Sequence, residues 1–339
     1  MRTFKTNGAF IDAVGKRAIA THVVRRVLNL AGETEPKDRT ASYHVSMGLA
    51  DPVRLFVKSE LHSLEKISEG RMRLIASVSL VDQLVERLLC GAQNNAEIAR
   101  WEDIPSKPGM GLDDLGLDSL RRQTEAMASP LATDMSGFDW SVPQWLLELD
   151  ATARVRLSGA RPGGPYERAL RARVAALGRS LLVLSDGTLF AQVWPGVQKS
   201  GSYNTSSTNS RMRVALGYLA KRIAGGGVVR QVNVMAAGDD CIEDTAGVEA
   251  SSLLGAYGTL GFDVKASPVL DFCSYVFGDN GYSRPRRGKI AASLFVKAPI
   301  DDAMREVLLC ALRYDLRHEP AFLERALDVV RQVGWGLAN

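Results

Sequence analysis

The sequence is poor in the residues that build covalent or metal-stapled scaffolds. Its four cysteines, Cys90, Cys241, Cys273 and Cys310, are scattered with no CxxC pair. That spacing argues against a disulfide framework or a zinc site. The four histidines are too dispersed to form a cluster. No apolar run reaches the roughly 20 residues that a membrane span needs. The opening MRTFKTNGAF lacks the apolar stretch of a secretory signal. The expected compartment is therefore the reducing cytoplasm. Internal repeats and low-complexity tracts are also missing.

What is present is a chain of 339 residues, 46% hydrophobic and 24% charged. That length suits one large domain or two to three subdomains around packed cores. A net charge of +4 is only mildly basic. It does not by itself point to nucleic acid. The distribution says more, because basic residues gather at 54–73, at 154–179 and in the run Arg284, Arg286, Arg287, Lys289. One such run is ordinarily a solvated helix face; three of them flanking acidic residues suggest a polyanion.

The pattern of elements is mixed. Helical spacing runs from Lys16 to Leu30, over 79–90, from Trp145 to Arg156 and from Tyr166 to Leu177. DPVRLFVKSE reads as a strand, and the Gly-, Pro- and Asp-rich stretch 102–118 as a loop. PLATDMSGFDWSVP reads as a buried strand leaving into a turn. LLVLSDGTLFAQVW carries a hairpin signal around Asp186-Gly187. A helix is predicted from about Asn209 to Ala224, ended by Gly225-Gly226-Gly227. VNVMAAGDDCIED reads as strand, tight turn, strand. A helix over Ser251–Leu260, a short strand FDVKAS, strands at DFCSYVF and KIAASLFVKA, and two helices over 300–333 complete the chain. This order lacks a regular βα alternation and favours an α+β, palm-like sheet.

The chemistry lies in the carboxylates. Ala237-Gly238-Asp239-Asp240 sits between two apolar runs. Two acids in a tight turn repel unless something positive stands between them. A divalent cation with a preference for hard oxygen ligands, Mg²⁺ or Mn²⁺, meets that need. Asp134 and Asp139 end a second apolar run. One carboxylate from a strand and others from a neighbouring turn can clamp two ions about 4 Å apart. Asp-rich turns and strand-ending Asp residues are common, so neither element is specific alone.

Two further segments fit nucleotide recognition. In Lys199-Ser200-Gly201-Ser202-Tyr203-Asn204-Thr205, followed by Thr208-Asn209-Ser210, a glycine permits close backbone approach. The hydroxyls and amides there can bond a ribose, whose 2′-OH distinguishes RNA from DNA. The plain alternative is a serine-rich loop capping a helix. Lys58, Lys66, Arg71 and Arg73 form a basic segment able to neutralise a triphosphate, or merely an exposed charged hairpin.

Taken in order, these four elements resemble the RNA-dependent RNA polymerases of positive-strand RNA viruses, with most similarity to the sobemovirus, barnavirus and polerovirus group. The resemblance rests on VKSELHSLEKISEGRMRLIASVSLVDQLVERLL, DMSGFDWSV, SDGTLFAQVWPGVQKSGSYNTSSTNSRMR, AAGDDCIED and FCSYVF. It covers about residues 50 to 280. The pairing of SG-x3-T-x3-N with a later GDD is its most specific part.

The resemblance implies roles at matching positions. Asp134, Asp239 and Asp240 would hold two Mg²⁺ or Mn²⁺ ions. Asp139 and Asn209, with Ser200, Gly201 and Thr205 nearby, would read the incoming ribose. Lys58, Lys66, Arg71 and Arg73 would line the nucleotide entry path, with Arg73 best matched to the triphosphate. Lys265 would protonate pyrophosphate, and Phe272 to Phe277 would form a primer-gripping hairpin.

It also implies a right hand of palm, fingers and thumb. The N-terminal and fingers segment would cover 1–130, palm 131–145 and 200–275, a fingers insertion 146–199, and a small thumb 276–339. The chain would then be an unusually small polymerase or part of a longer polyprotein. Template and product RNA, NTPs and other viral replication proteins are the implied partners. The implied location is the host cytoplasm, in membrane-associated replication complexes. Rival readings are a reverse transcriptase-like palm polymerase and an inactive RNA-binding scaffold.

Overall fold

The computed structural model describes residues 4, 6–227, 232–278, 281–284, 287–296 and 301–332. The chain opens with helices α1 (Asn7–Val14), α2 (Lys16–Gly32) and α3 (Ala41–Ser46). Strand β1 (Val53–Val57), a short helix α4 (Leu64–Ser68) and strand β2 (Leu74–Ser77) follow. Next come α5 (Leu80–Ala99), α6 (Asp114–Glu125), strand β3 (Pro130–Met135), α7 (Phe138–Ser141), α8 (Gln144–Ser158) and α9 (Pro165–Gly178). The hairpin β4 (Leu181–Val183) and β5 (Leu189–Ala191) leads to α10 (Thr205–Ala224), then β6 (Val234–Ala237), β7 (Asp240–Asp244), α11 (Ala250–Thr259) and β8 (Val264–Ala266). A meander β9 (Leu270–Phe272), β10 (Tyr275–Gly278) and β11 (Gly281–Ser283) precedes α12 (Arg287–Val296), α13 (Asp302–Asp315) and α14 (Pro320–Gln332).

Local chemistry explains several boundaries. Thr6, Thr40, Ser63, Ser79, Asp113 and Asp301 each cap a helix by accepting a backbone N–H with the side chain.

The central sheet has the order β6-β7-β3-β8 and is antiparallel throughout. The period of two along each strand separates its faces. Ala132, Met235 and Ile242 turn to one face, where they pack with Leu117 and Leu120 of α6 and with Phe272, Tyr275 and Phe277 of the meander. Met135 turns to the other, against Met212, Leu216, Leu253 and Tyr257 of α10 and α11. A second sheet, β2-β1-β4-β5, joins two segments remote in sequence, because β1 runs parallel to β4. The last two helices bury Leu308, Leu309, Leu312, Leu327 and Val330 against each other.

Three sequence expectations change. KIAASLFVKA is not a strand: residues up to Val296 belong to α12, and Lys297-Ala298 lie outside the described residues. The loop expected over 102–118 ends early, because Asp113 caps α6 and residues 114–118 are already helical. DFCSYVF is two strands, folded at Cys273 and Ser274, which both adopt positive φ (52° and 64°). No helix among the described residues is long and apolar enough to cross a membrane.

Candidate active site

The site grows from the register of the central sheet. Thr133 on β3 is paired with Cys241 on β7. One step beyond that pair stand Asp134 and Asp240. Facing residues on neighbouring antiparallel strands have Cβ atoms only ~5 Å apart, so the fold brings these acids together although they lie far apart in sequence. Gly238 and Asp239 form the turn between the paired residues Ala237 and Asp240. Gly238 has φ +69°, a conformation that costs glycine little and other residues more.

The electrostatics agree. Burial pushes the Asp240 carboxyl up to about 6, and the charges of Asp239, Asp271 and Asp134 add to the shift. Cys273, at the tip of the β9–β10 hairpin, opposes it by hydrogen bonding to Asp240. Asp271 is an acid the sequence reading did not place here. Its signal was its position beside Phe272, at the start of a hairpin packed on this same face. On β8, Lys265 is the register partner of Asp134, so the two side chains share a face.

The oxygen donors of Asp134, Asp239 and Asp240 suit a hard divalent cation, and their mutual repulsion is what such an ion would relieve. No three acidic, His or Cys side chains among the described residues already form a closed metal-holding cluster.

Asp139 and Asn209, the pair expected to read the ribose, also come together. Asn209 Nδ2 donates to Asp139 Oδ1 at 2.7 Å. Burial raises the Asp139 carboxyl; the Asn209 hydrogen bond opposes the rise, Asp239 adds to it and Arg73 opposes it. Asp139 thus feels the charges of both the acidic turn and the basic segment. Asn209 Oδ1 is buried with no protein partner.

Within the basic segment, Lys58 and Arg73 both pair with Glu60, at 2.8 and 3.2 Å. Burial pushes Glu60 up, but Lys58, Arg73 and Lys289 outweigh it and hold the carboxyl below its ordinary range. Arg71 pairs locally with Glu65 and Glu69. Lys66 lies exposed on α4.

Three of the expected ribose contacts serve the chain's own loop. Ser200 Oγ accepts the amide of Ala76 at 3.0 Å. Thr205 Oγ1 donates to the carbonyls of Lys199 and Ser202. Gly201 packs so tightly on β2 that a Cβ would stand 2.7 Å from Ala76 O and 2.9 Å from Ser77 Cα. The close approach it permits is to protein backbone.

The basic runs divide as well. Arg154 is buried among Asp150, Asn94, Ser207 and Thr208, and Arg173 is buried against Glu86. Neither faces solvent, so the 154–179 run is partly internal wiring. Arg284 and Arg287 pair with Asp315 and Glu319. Arg286 lies outside the described residues.

Comparison with known proteins identifies the family. The viral RNA-directed RNA-polymerase family matches residues 3–273. The chain belongs to that family. It is 40% identical over 315 residues to the RNA-directed RNA polymerase of Mushroom bacilliform virus, an alignment covering 88% of this chain and 73% of that protein. It is 44% identical over 302 residues to Protein P1-P2 of Turnip yellows virus, covering 83% of this chain but only 28% of the relative's length. Relatives at 40–49% identity include barnavirus, polerovirus and sobemovirus proteins. Among solved structures, a Sicinivirus 3Dpol RNA dependent RNA polymerase matches with a TM-score of 0.59 at 15% identity, covering 82% of this chain and 64% of that one. The fold is therefore the α+β right hand of this polymerase family.

Proposed function

We propose that this chain carries out template-directed RNA synthesis from NTPs by two-metal-ion nucleotidyl transfer, in replication of a viral RNA genome. The carrying observation is the convergence of Asp134, Asp239 and Asp240 beside the Asp139–Asn209 pair. In this reading the three acids hold two Mg²⁺ or Mn²⁺ ions. When bound, such ions lower the pKa of an attacking 3′-hydroxyl and stabilise a leaving pyrophosphate.

The remaining roles belong to the protein's own groups. Asp139 and Asn209 present an acceptor and a donor to the ribose, with Ser200, Gly201 and Thr205 shaping the loop beside it. The unpaired Asn209 Oδ1 is an acceptor suited to a 2′-hydroxyl donor. Arg73 and Lys58, aligned by Glu60, face the triphosphate, with Lys66 and Arg71 further along the entry path. Lys265, on the face of Asp134, donates a proton to the departing pyrophosphate. The β9–β10 hairpin supports the primer end beside Asp240.

Residues 131–145 and 200–275 then serve as palm, 1–130 and 146–199 as fingers, and 276–339 as thumb. The shared sheet of β1, β2, β4 and β5 supports joining the two fingers segments. Activity in the host cytoplasm, with recruitment to membrane-bound complexes by other replication proteins, belongs to the same proposal.

The test is incorporation of each labelled nucleotide on primed homopolymeric RNA templates with Mg²⁺ or Mn²⁺. The proposal expects only the complementary ribonucleotide to be incorporated. Preference for dNTPs would favour a reverse transcriptase-like palm, and RNA binding without turnover a scaffold.

A further inference from the structure

Helix α10 is fastened to the site by three side chains in close succession. Asn209 grips Asp139. Arg213, one turn later, is fully buried and donates to Tyr257, to Thr133 beside Asp134, and to Glu243 on β7. Between them lies Ser210, also fully buried. Its Oγ donates to Ser206 O at 2.7 Å and accepts the backbone N–H of Gly238 at 2.8 Å.

Successive helix residues point about 100° apart, so Asn209 and Ser210 reach different parts of the site. Asn209 reaches the ribose side, and Ser210 reaches the turn that carries Asp239. Gly238 is a central residue of that turn, beyond the last ladder pair Ala237–Asp240, and its N–H is taken by Ser210 Oγ. Gly238 is half-buried, and an N–H there that loses its partner costs free energy. Ser210 supplies that partner from a fully buried position on α10.

We propose that Ser210 is a positioning residue: its hydroxyl sets the Gly238-Asp239 turn, and so fixes where Asp239 and Asp240 offer their carboxylates to a divalent cation. This rests on the polymerase reading. It adds a division of labour, in which neighbouring residues of one helix govern sugar selection and metal affinity separately. The first half of α10 is locked to α8 through Arg154, Ser207 and Thr208, which gives Ser210 a rigid base.

The test compares the parent with Ser210→Ala in two measurements. The first is amide hydrogen exchange at Gly238, which needs no turnover. The parent amide should be protected, and Ser210→Ala should exchange about tenfold faster or more. The second is primer extension against Mg²⁺ concentration. Half-saturating Mg²⁺ should rise about threefold or more, while KM for NTP and the NTP-to-dNTP ratio stay within about twofold. Ser210→Thr, which keeps the hydroxyl, should restore both.

An unprotected Gly238 amide in the parent would overturn the proposal, and this result holds even if Ser210→Ala fails to fold. Unchanged Mg²⁺ dependence in folded Ser210→Ala, or a shift in sugar selectivity instead, would overturn it too. A parent protein without extension activity would remove the polymerase reading, and the exchange result would still decide the Ser210 contact.

Discussion

Asn209 Nδ2 stands 2.7 Å from Asp139 Oδ1, joining the second residue after a buried strand's exit turn to the first turns of α10. The pair is the sugar gate of this account. Asp139→Ala and Asn209→Ala should each cut discrimination of NTP over dNTP by about tenfold or more, since a site built to bond a hydroxyl rejects the analogue lacking it. The ratio of kcat/KM values for the two substrates measures this. An unchanged ratio would remove the pair from that role.

Lys199 makes stability depend on pH in a stated direction. It is buried, and its Nζ donates to Gln192 Oε1 and to the carbonyls of Gly196 and Val197. Burial first, and Arg173 second, push its pKa down to about 7. In the unfolded chain a lysine titrates near ~10.4. Between these values the unfolded state binds more protons, so stability gains with rising pH. Below the folded value both states are protonated and the contribution is flat. Urea midpoints of the parent, relative to Lys199→Met, should therefore climb from about pH 7 toward pH 10. A difference that stays flat or falls over that window would contradict the assignment.

Arg154 tests the internal wiring of α8, α5 and α10. Its guanidinium bonds Asp150, Asn94, Ser207 and Thr208. Arg154→Leu leaves Asp150 buried with fewer partners and should cost ~3–5 kcal/mol, read from urea unfolding. A loss under ~1 kcal/mol, typical of an exposed pair, would show the network is solvated.

Gly201→Ala tests the loop seat. The added Cβ would press on backbone at Ala76 and Ser77. Backbone does not yield as a flexible side chain does, so a cost of ~1–3 kcal/mol is expected. Full stability with reduced NTP binding would point to a ligand role for this glycine instead.

Much of the fold was legible because its strands and helices carry clean periods. The strand carrying Asp134, the GDD hairpin and the hairpin at Asp186-Gly187 follow directly from apolar runs and turn residues. KIAASLFVKA misled because a short apolar run has no period to separate a strand from a buried helix. Ile290 in fact packs against the α13–α14 core. The fold at Cys273-Ser274 was implied only by the family resemblance, as a hairpin over Phe272 to Phe277, since neither residue type advertises positive φ. Asp134, Asp139, Asp239, Asp240 and Asn209 were readable as chemistry-bearing types at telling spacings. Asp271 and Cys273 were not placed at the site, and Ser210 was read only within a ribose-binding stretch, because their contacts come from tertiary proximity. The buried arginines looked like a surface charge run because sequence does not show which partner neutralises a cation.

The most direct measurement is extension of a primed homopolymeric RNA template by the purified chain with the matching NTP and Mg²⁺ or Mn²⁺, beside folded Asp239→Ala. The account predicts extension by the parent and none by the variant. Extension that survives in Asp239→Ala would contradict the placement of the metal-dependent centre at the β6–β7 turn.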